Sequence, residues 1–201
     1  MSQTALARRP RTALKHEGDR FTWLEILRDL TNGQREALMH AGVAPRFEDL
    51  VGAEFAGANT LPIVRLIGIR KFCKGFFEGP PRSAKGPAPF VQGYNIPVTN
   101  DADDAPHRLE PSAERPKRFG FYRVHRVVEG ARDARYPNGL LLDYSLGGNG
   151  LFGPPLRDYL VQVYPDDPDL LLGKAYLALA GLRIPLSFFV LKRLRAHDFA
   201  G

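Results

Sequence analysis

The chain reads as an α+β protein in which N-terminal helices precede an antiparallel β-meander that closes into a barrel. Three observations predict this. The first fifty residues carry helical caps and a 3.6-residue apolar period. Beyond residue 51, short apolar runs follow one another with turn signals and no room for crossover helices, which dictates antiparallel pairing. The chain has 201 residues, 44% of them hydrophobic, which suffices for one packed core and excludes global disorder.

Residues 1–20, with Arg8, Arg9 and Arg11, are polar and basic and are expected to form a disordered tail without the apolar run of a secretory signal. Residues 21–50 form the helical segment. Thr22 and Glu25 make a capping-box pattern, after which Trp23, Ile26, Leu27 and Leu30 share a face. Asn32-Gly33 is expected to stop that helix, "QREALMHAG" supplies a second, and "PRFEDLVG" a further turn.

Residues 51–195 are expected to form the barrel, with loops at 79–89 and 100–117, both rich in Pro, Gly and charge. "VGAEFAGANT" and "FVQGYNIPV" read as strands. So do the runs at 119–128, 139–145, 157–164, 170–179 and 182–194, the last two joined by a tight turn at Ala180-Gly181. The run 61–77, "LPIVRLIGIRKFCKGFF", reads as strand or loop from 61 to 69 and stays open over 70–77, with a short amphipathic helix as the alternative for the whole run.

The net charge of +6 permits contact with nucleic acid or an anionic membrane, but the cations are dispersed and no nucleic-acid motif is present, so no nucleic-acid partner is expected. No run approaches the length of a transmembrane helix, although peripheral membrane contact stays open. The lone Cys73 excludes an intrachain disulfide and suits a reducing, cytoplasmic location.

Candidate chemistry is sparse. "GNGLFG" at 148–153 satisfies G-x-G-x-x-G, but two prolines and a strand follow it rather than a helix, so it reads as a glycine loop. No histidine lies at metal-ligand spacing from another. His125 shares a strand face with Phe119, Phe121 and Arg123, and Tyr122 and Val124 share the other. An interior Arg123 and His125 would need partners or a ligand, whereas exterior ones would be solvated. Lys174 with Tyr176, and Asp158 with Leu160 and Gln162, give further faces that either line a cavity or form an outer surface. Cys73 stands among Arg70, Lys71 and Lys74, a setting that activates an exposed thiol, but Phe72, Phe76 and Phe77 point to burial.

"GAEFAG" at 52–57 resembles the G-x-W-x-G strand that opens lipocalin-like (calycin) barrels, with Phe55 in the tryptophan position. "GIRKF" at 68–72 is similar to the segment that follows that strand in bacterial GXWXG proteins. The resemblance implies a lipocalin-like barrel with an aromatic plug at its base, an interior site for a small hydrophobic or amphipathic molecule, and no catalytic residues.

The ligand-binding candidates are accordingly Glu54, Asn59, Thr60, Arg65, Arg70, Lys71, Arg123 and His125, with Lys74 a further cation near the mouth. The alternatives are a barrel enzyme using Tyr122, His125, Asp143 and Tyr176 in acid–base chemistry on a small organic substrate, or a peripheral membrane or partner-binding module acting through 61–77.

Overall fold

A computed structural model describes residues 20–61, 70–79, 90–130, 134–146, 149, 155–179 and 182–201. The expected N-terminal tail, Arg65, most of the 79–89 loop, the G-x-G-x-x-G stretch and the Ala180-Gly181 turn lie outside these residues.

Among the described residues three short helices come first: α1 (Trp23–Arg28), α2 (Asn32–Ala41) and α3 (Phe47–Leu50). Thr22 caps α1 in the expected reciprocal box with Glu25. Thr31 and Gln34 form a second such box, so Asn32 and Gly33, expected as a helix stop, open α2 instead. The cap wins because it satisfies two amides that Asn32-Gly33 would leave unpaired.

Eight antiparallel strands follow in simple up-and-down order and close into a barrel, with β1 pairing β8. They are β1 (Ala53–Asn59), β2 (Lys71–Gly79), β3 (Phe90–Pro97), β4 (Phe119–Arg126), β5 (Leu140–Asp143), β6 (Leu156–Tyr164), β7 (Asp167–Leu179) and β8 (Leu182–Ala196). The stretch 71–77 is therefore buried strand, and Phe72 and Phe76 belong to the barrel core. No helix among the described residues is long and apolar enough to cross a membrane.

Strand alternation divides the apolar residues between two layers. Even-numbered residues of β2 and β4 and odd-numbered residues of β1 point inwards, so Phe55, Phe76, Tyr122 and Val124 meet Leu142, Leu160 and Leu191 in the lumen. The outer face of β6–β8 packs Tyr159, Val161, Leu172, Tyr176 and Val190 against Ile26, Leu27 and Met39 of the helices. A smaller outer cluster places Cys73, Phe77, Tyr94 and Ile96 under Leu109 and the C-terminal Phe199.

Gly52 has φ +75°, a left-handed turn that glycine adopts without strain, and it leads into β1. Gly57 is paired with Phe72, whose ring lies over it so closely that a Cβ there would fall 2.4 Å from a ring carbon. The same pairing recurs for Gly93 with Tyr122 and Gly173 with Phe189. Three aromatic rings thus lie flat across glycines and turn towards the lumen centre.

One end of the barrel is closed by α3, where Leu50 is fully buried and Phe47 and Ala44 pack against the same cluster. Phe55 lies in this half, edge-to-face against Phe76 with centroids 5.8 Å apart. The aromatic that the sequence singled out is thus a fully buried core residue of β1, and α3 is the element that covers this end.

Candidate functional site

The lumen changes character along its length. The half closed by α3 is apolar, whereas towards the other end, where β1 finishes, the inward positions include Lys74, Asn95, Asp158, Asn59 and Ser187. Lys74 is at the centre of this change. Its side chain is 3% exposed and that of Asp158 5%, and the two are joined at 3.0 Å. Lys74 Nζ also donates to Asn95 Oδ1 at 3.0 Å and to the Tyr144 hydroxyl, which in turn donates to Asp158 Oδ2 at 2.9 Å. Asn95 is held by its own amide, which donates to the Gly120 carbonyl.

Each partner is placed by strand parity. Lys74 lies in phase with Phe72 and Phe76, and Asp158 with Leu160. Tyr144 continues the inward phase of Leu140 and Leu142 into a 3-10 turn, Tyr144–Leu146, that follows β5. Aromatic rings enclose the ammonium: Tyr122 at 4.8 Å, Tyr144 at 5.2 Å, Phe189 at 5.4 Å and Phe72 at 5.5 Å from nitrogen to centroid. Burial lowers the pKa of the amine from its ordinary value, opposed by the charge and hydrogen bond of Asp158. Burial also raises the hydroxyls of Tyr122 and Tyr144 well above theirs, with the Asp158 charge adding to both.

Towards the end opposite α3, Ser187 donates to Asn59 Oδ1 at 3.1 Å. Leu156 and Ala175, inward-facing beside Asp158 and Ser187, are only half-buried. Ser187 also lines a cleft of about 410 Å³ bounded by Gly33 and Glu36 of α2, Leu61, Lys174 and Phe188. The cleft lies beneath α2 against the outer side of β7 and β8, and of the polar lumen residues named above Ser187 alone borders it.

The sequence-derived candidates are dispersed. Tyr122 faces the lumen, its hydroxyl donating to the Gly75 carbonyl at 3.2 Å. Arg123 and His125 are on the outer face of β4, with Arg123 opposite Asp143 and Arg157 bridging to Asp143 at 3.1 Å. Arg123 also stacks over the Phe90 ring at 4.5 Å. Tyr176 is buried outside the barrel beneath α2, where its hydroxyl meets that of Tyr136 at 3.0 Å and Lys174 pairs with Glu36. The four acid–base candidates thus occupy three separate places, and only His125 and Asp143 are neighbours.

Besides Lys74, Asn59 alone among the described ligand-binding candidates faces the lumen. Glu54 is fully buried on the outer face, accepting from Tyr94 at 2.9 Å and from Arg195 at 2.6 Å. Thr60 donates to the Phe188 carbonyl at 3.1 Å. Arg70 pairs with Asp103 at 2.7 Å, while Lys71 is held by Asp101 and by the Ala102 and Ala105 carbonyls. These two cations clamp the 100–117 segment to the outside of β2 rather than line the mouth. Cys73 is fully buried, and burial, with the Glu54 charge, pushes its thiol pKa far up, so it is no nucleophile.

The sequence points to Lys74 as a cation near the barrel mouth but does not connect it with Asp158, Tyr144 or Asn95. The available signal was phase: a lysine and an aspartate each in register with core residues of its own strand.

Three histidines outside the lumen carry a pH dependence. Burial lowers the pKa of His107, His125 and His197 from the ordinary 6.5. His107 Nε2 bonds to the Gly57 carbonyl and His197 Nε2 to that of Phe76, each at 3.0 Å, so each donates a proton there. Because their folded-state pKa values lie below the unfolded one, the unfolded chain binds more protons as pH falls through 6.5. Stability is thus full above that value and is lost on acidification towards the folded values. Below the ordinary carboxylate range, Glu36 and Asp101, whose pKa values are lowered, add a further loss. Urea midpoints should be flat from pH 8 to 7 and fall between about 6.5 and 5, with His107→Gln flattening the fall. An unchanged midpoint over that range would contradict this account.

Compared with protein-family models, curated proteins and solved structures, the chain finds no match.

Proposed function

We propose that the protein is a lipocalin-like binder of a small, mainly apolar molecule carrying one hydrogen-bond-accepting group, which is received at Lys74 in the upper half of the lumen. The observation that carries this reading is the buried Lys74–Asp158–Tyr144–Asn95 cluster. An ion pair in an apolar interior gains little over well-packed hydrophobic residues, so stability alone does not account for it. Such a cluster is a functional-site candidate on physical grounds.

The apolar half of the barrel, filled by Phe55, Phe76, Leu160, Leu171 and their neighbours, leaves no obvious seat for a long chain, which favours a short ligand. Its apolar part would rest against Leu156, Ala175, Phe72 and Phe189, and the cleft at Ser187 offers an approach. The acid–base alternative has less support because its four residues do not converge. Insertion of 61–77 into a membrane has less support because Phe72, Phe76 and Phe77 are buried. A cytoplasmic location accompanies the proposal, resting on the single cysteine.

The test is a fluorescence titration with anilinonaphthalene sulfonate, followed by displacement with octanoate and palmitate. Saturable binding of one probe per chain is expected, with octanoate displacing better than palmitate. The double variant Lys74→Met/Asp158→Leu should weaken it about tenfold or more, or ~1.4 kcal/mol, and Ala175→Trp should block it. The proposal fails if no saturable binding occurs, or if neither variant alters it.

A further inference from the structure

Of the described lysines, Lys74 is the one whose amine combines exclusion from water, an adjacent carboxylate and phenol, and a wall of aromatic rings. Lys71 is committed to Asp101 and two carbonyls on the outer face, and Lys174 to Glu36 beneath α2. Simple anion recognition needs a permanent positive charge, for which arginine is better suited. A lysine held in an apolar site yields its proton more readily and becomes a nucleophile. The direction of the Lys74 shift agrees with this.

We propose that Lys74 is a covalent attachment site, its amine condensing with the carbonyl carbon of a small apolar aldehyde or ketone to form an imine in the upper lumen. The inference deepens the binding proposal and rests on it.

The reaction balances without an oxidant or reductant. Lys74 passes one proton to Asp158, 3.0 Å away, leaving a lone pair on Nζ. That pair forms the N–C bond as the carbonyl π pair moves to oxygen, and the oxygen is protonated from the Tyr144 hydroxyl, with the Lys74 nitrogen then returning a proton to Tyr144. The C–O bond of the carbinolamine breaks as the hydroxyl leaves with the proton held on Asp158. One water is released, and nitrogen and carbon become doubly bonded. Tyr144 lies within hydrogen-bond reach of both Lys74 and Asp158, so the proton path is complete within the cluster. Asn95 is a positioning residue that orients the amine from the third side.

The experiment incubates the full chain with cinnamaldehyde and cyanoborohydride at pH 7, then maps the reduced adduct by peptide mass spectrometry. A single adduct at Lys74 is expected, formed about tenfold or more faster than at Lys117 or Lys192. Lys74→Arg, which keeps the charge and removes the nucleophile, should form none in the lumen. Adducts confined to Lys117, Lys192 and the N-terminus of the wild-type chain would overturn the proposal, whatever the variants do. Equilibrium dialysis with cinnamyl alcohol, which cannot condense, separates this inference from its foundation. Saturable binding of the alcohol with Lys74 unmodified by the aldehyde refutes imine formation and leaves the binding proposal standing. Absence of both refutes both.

Discussion

Lys74→Met is expected to lower the free energy of unfolding by about 3–5 kcal/mol, because it leaves the Asp158 carboxylate buried with only the Tyr144 hydroxyl to serve it. Removing the second charge as well should reverse the loss. Lys74→Met/Asp158→Leu replaces an ion pair by apolar side chains inside an apolar barrel, and stability should return to that of the wild type or exceed it by ~1 kcal/mol or more. Urea unfolding at pH 7, with equal slopes for the three proteins, measures this. A double variant as unstable as the single one would show that the pair organises the barrel rather than being tolerated by it. Recovery of stability together with loss of probe binding is the pattern that the proposed function requires.

Phe55→Ala should cost about as much, ~3–5 kcal/mol, for a different reason. The Phe55 ring is fully buried, packed edge-on against Phe76 and capped by the Arg193 guanidinium at 5.0 Å. Phe76 in turn packs on Tyr122 at 5.8 Å, so truncation would open a void at the base of a continuous aromatic stack. Phe119→Ala is the matching control. That ring is 47% exposed at the start of β4, and its removal should alter stability by less than ~0.5 kcal/mol. Equal effects of the two substitutions would contradict a core role for Phe55.

Phe55 was legible because its signal is local: an aromatic bracketed by glycines in a strand has few structural roles. The other strands were legible as short runs rich in β-branched, aromatic or leucine residues between turn signals, whereas β2 falls in the stretch that the sequence leaves open between strand and helix. The start of α2 was misread although its cap, Thr31 with Gln34, was present in the sequence. Asn32-Gly33 carries a strong turn signal, and the capping box outweighed it. The cations of "RKFCKGFF" look alike in sequence but separate by parity, Lys71 outwards to Asp101 and Lys74 inwards to Asp158.

What the sequence by itself determined is the order of elements, antiparallel pairing and the aromatic at the barrel base, because these depend on periodicity and short-range turn chemistry. It also determined that Arg123 and His125 share a face opposite Tyr122. Only the tertiary structure decided which of those faces is interior, since strand alternation defines two sides without saying which one the barrel encloses. The Lys74 cluster was decided in the same way. Its members come from β2, β3, β6 and the turn after β5, and no local rule relates residues 74, 95, 144 and 158. Barrel closure brings them together in a space with too little water to solvate a charge, and there each polar group must be satisfied by the others.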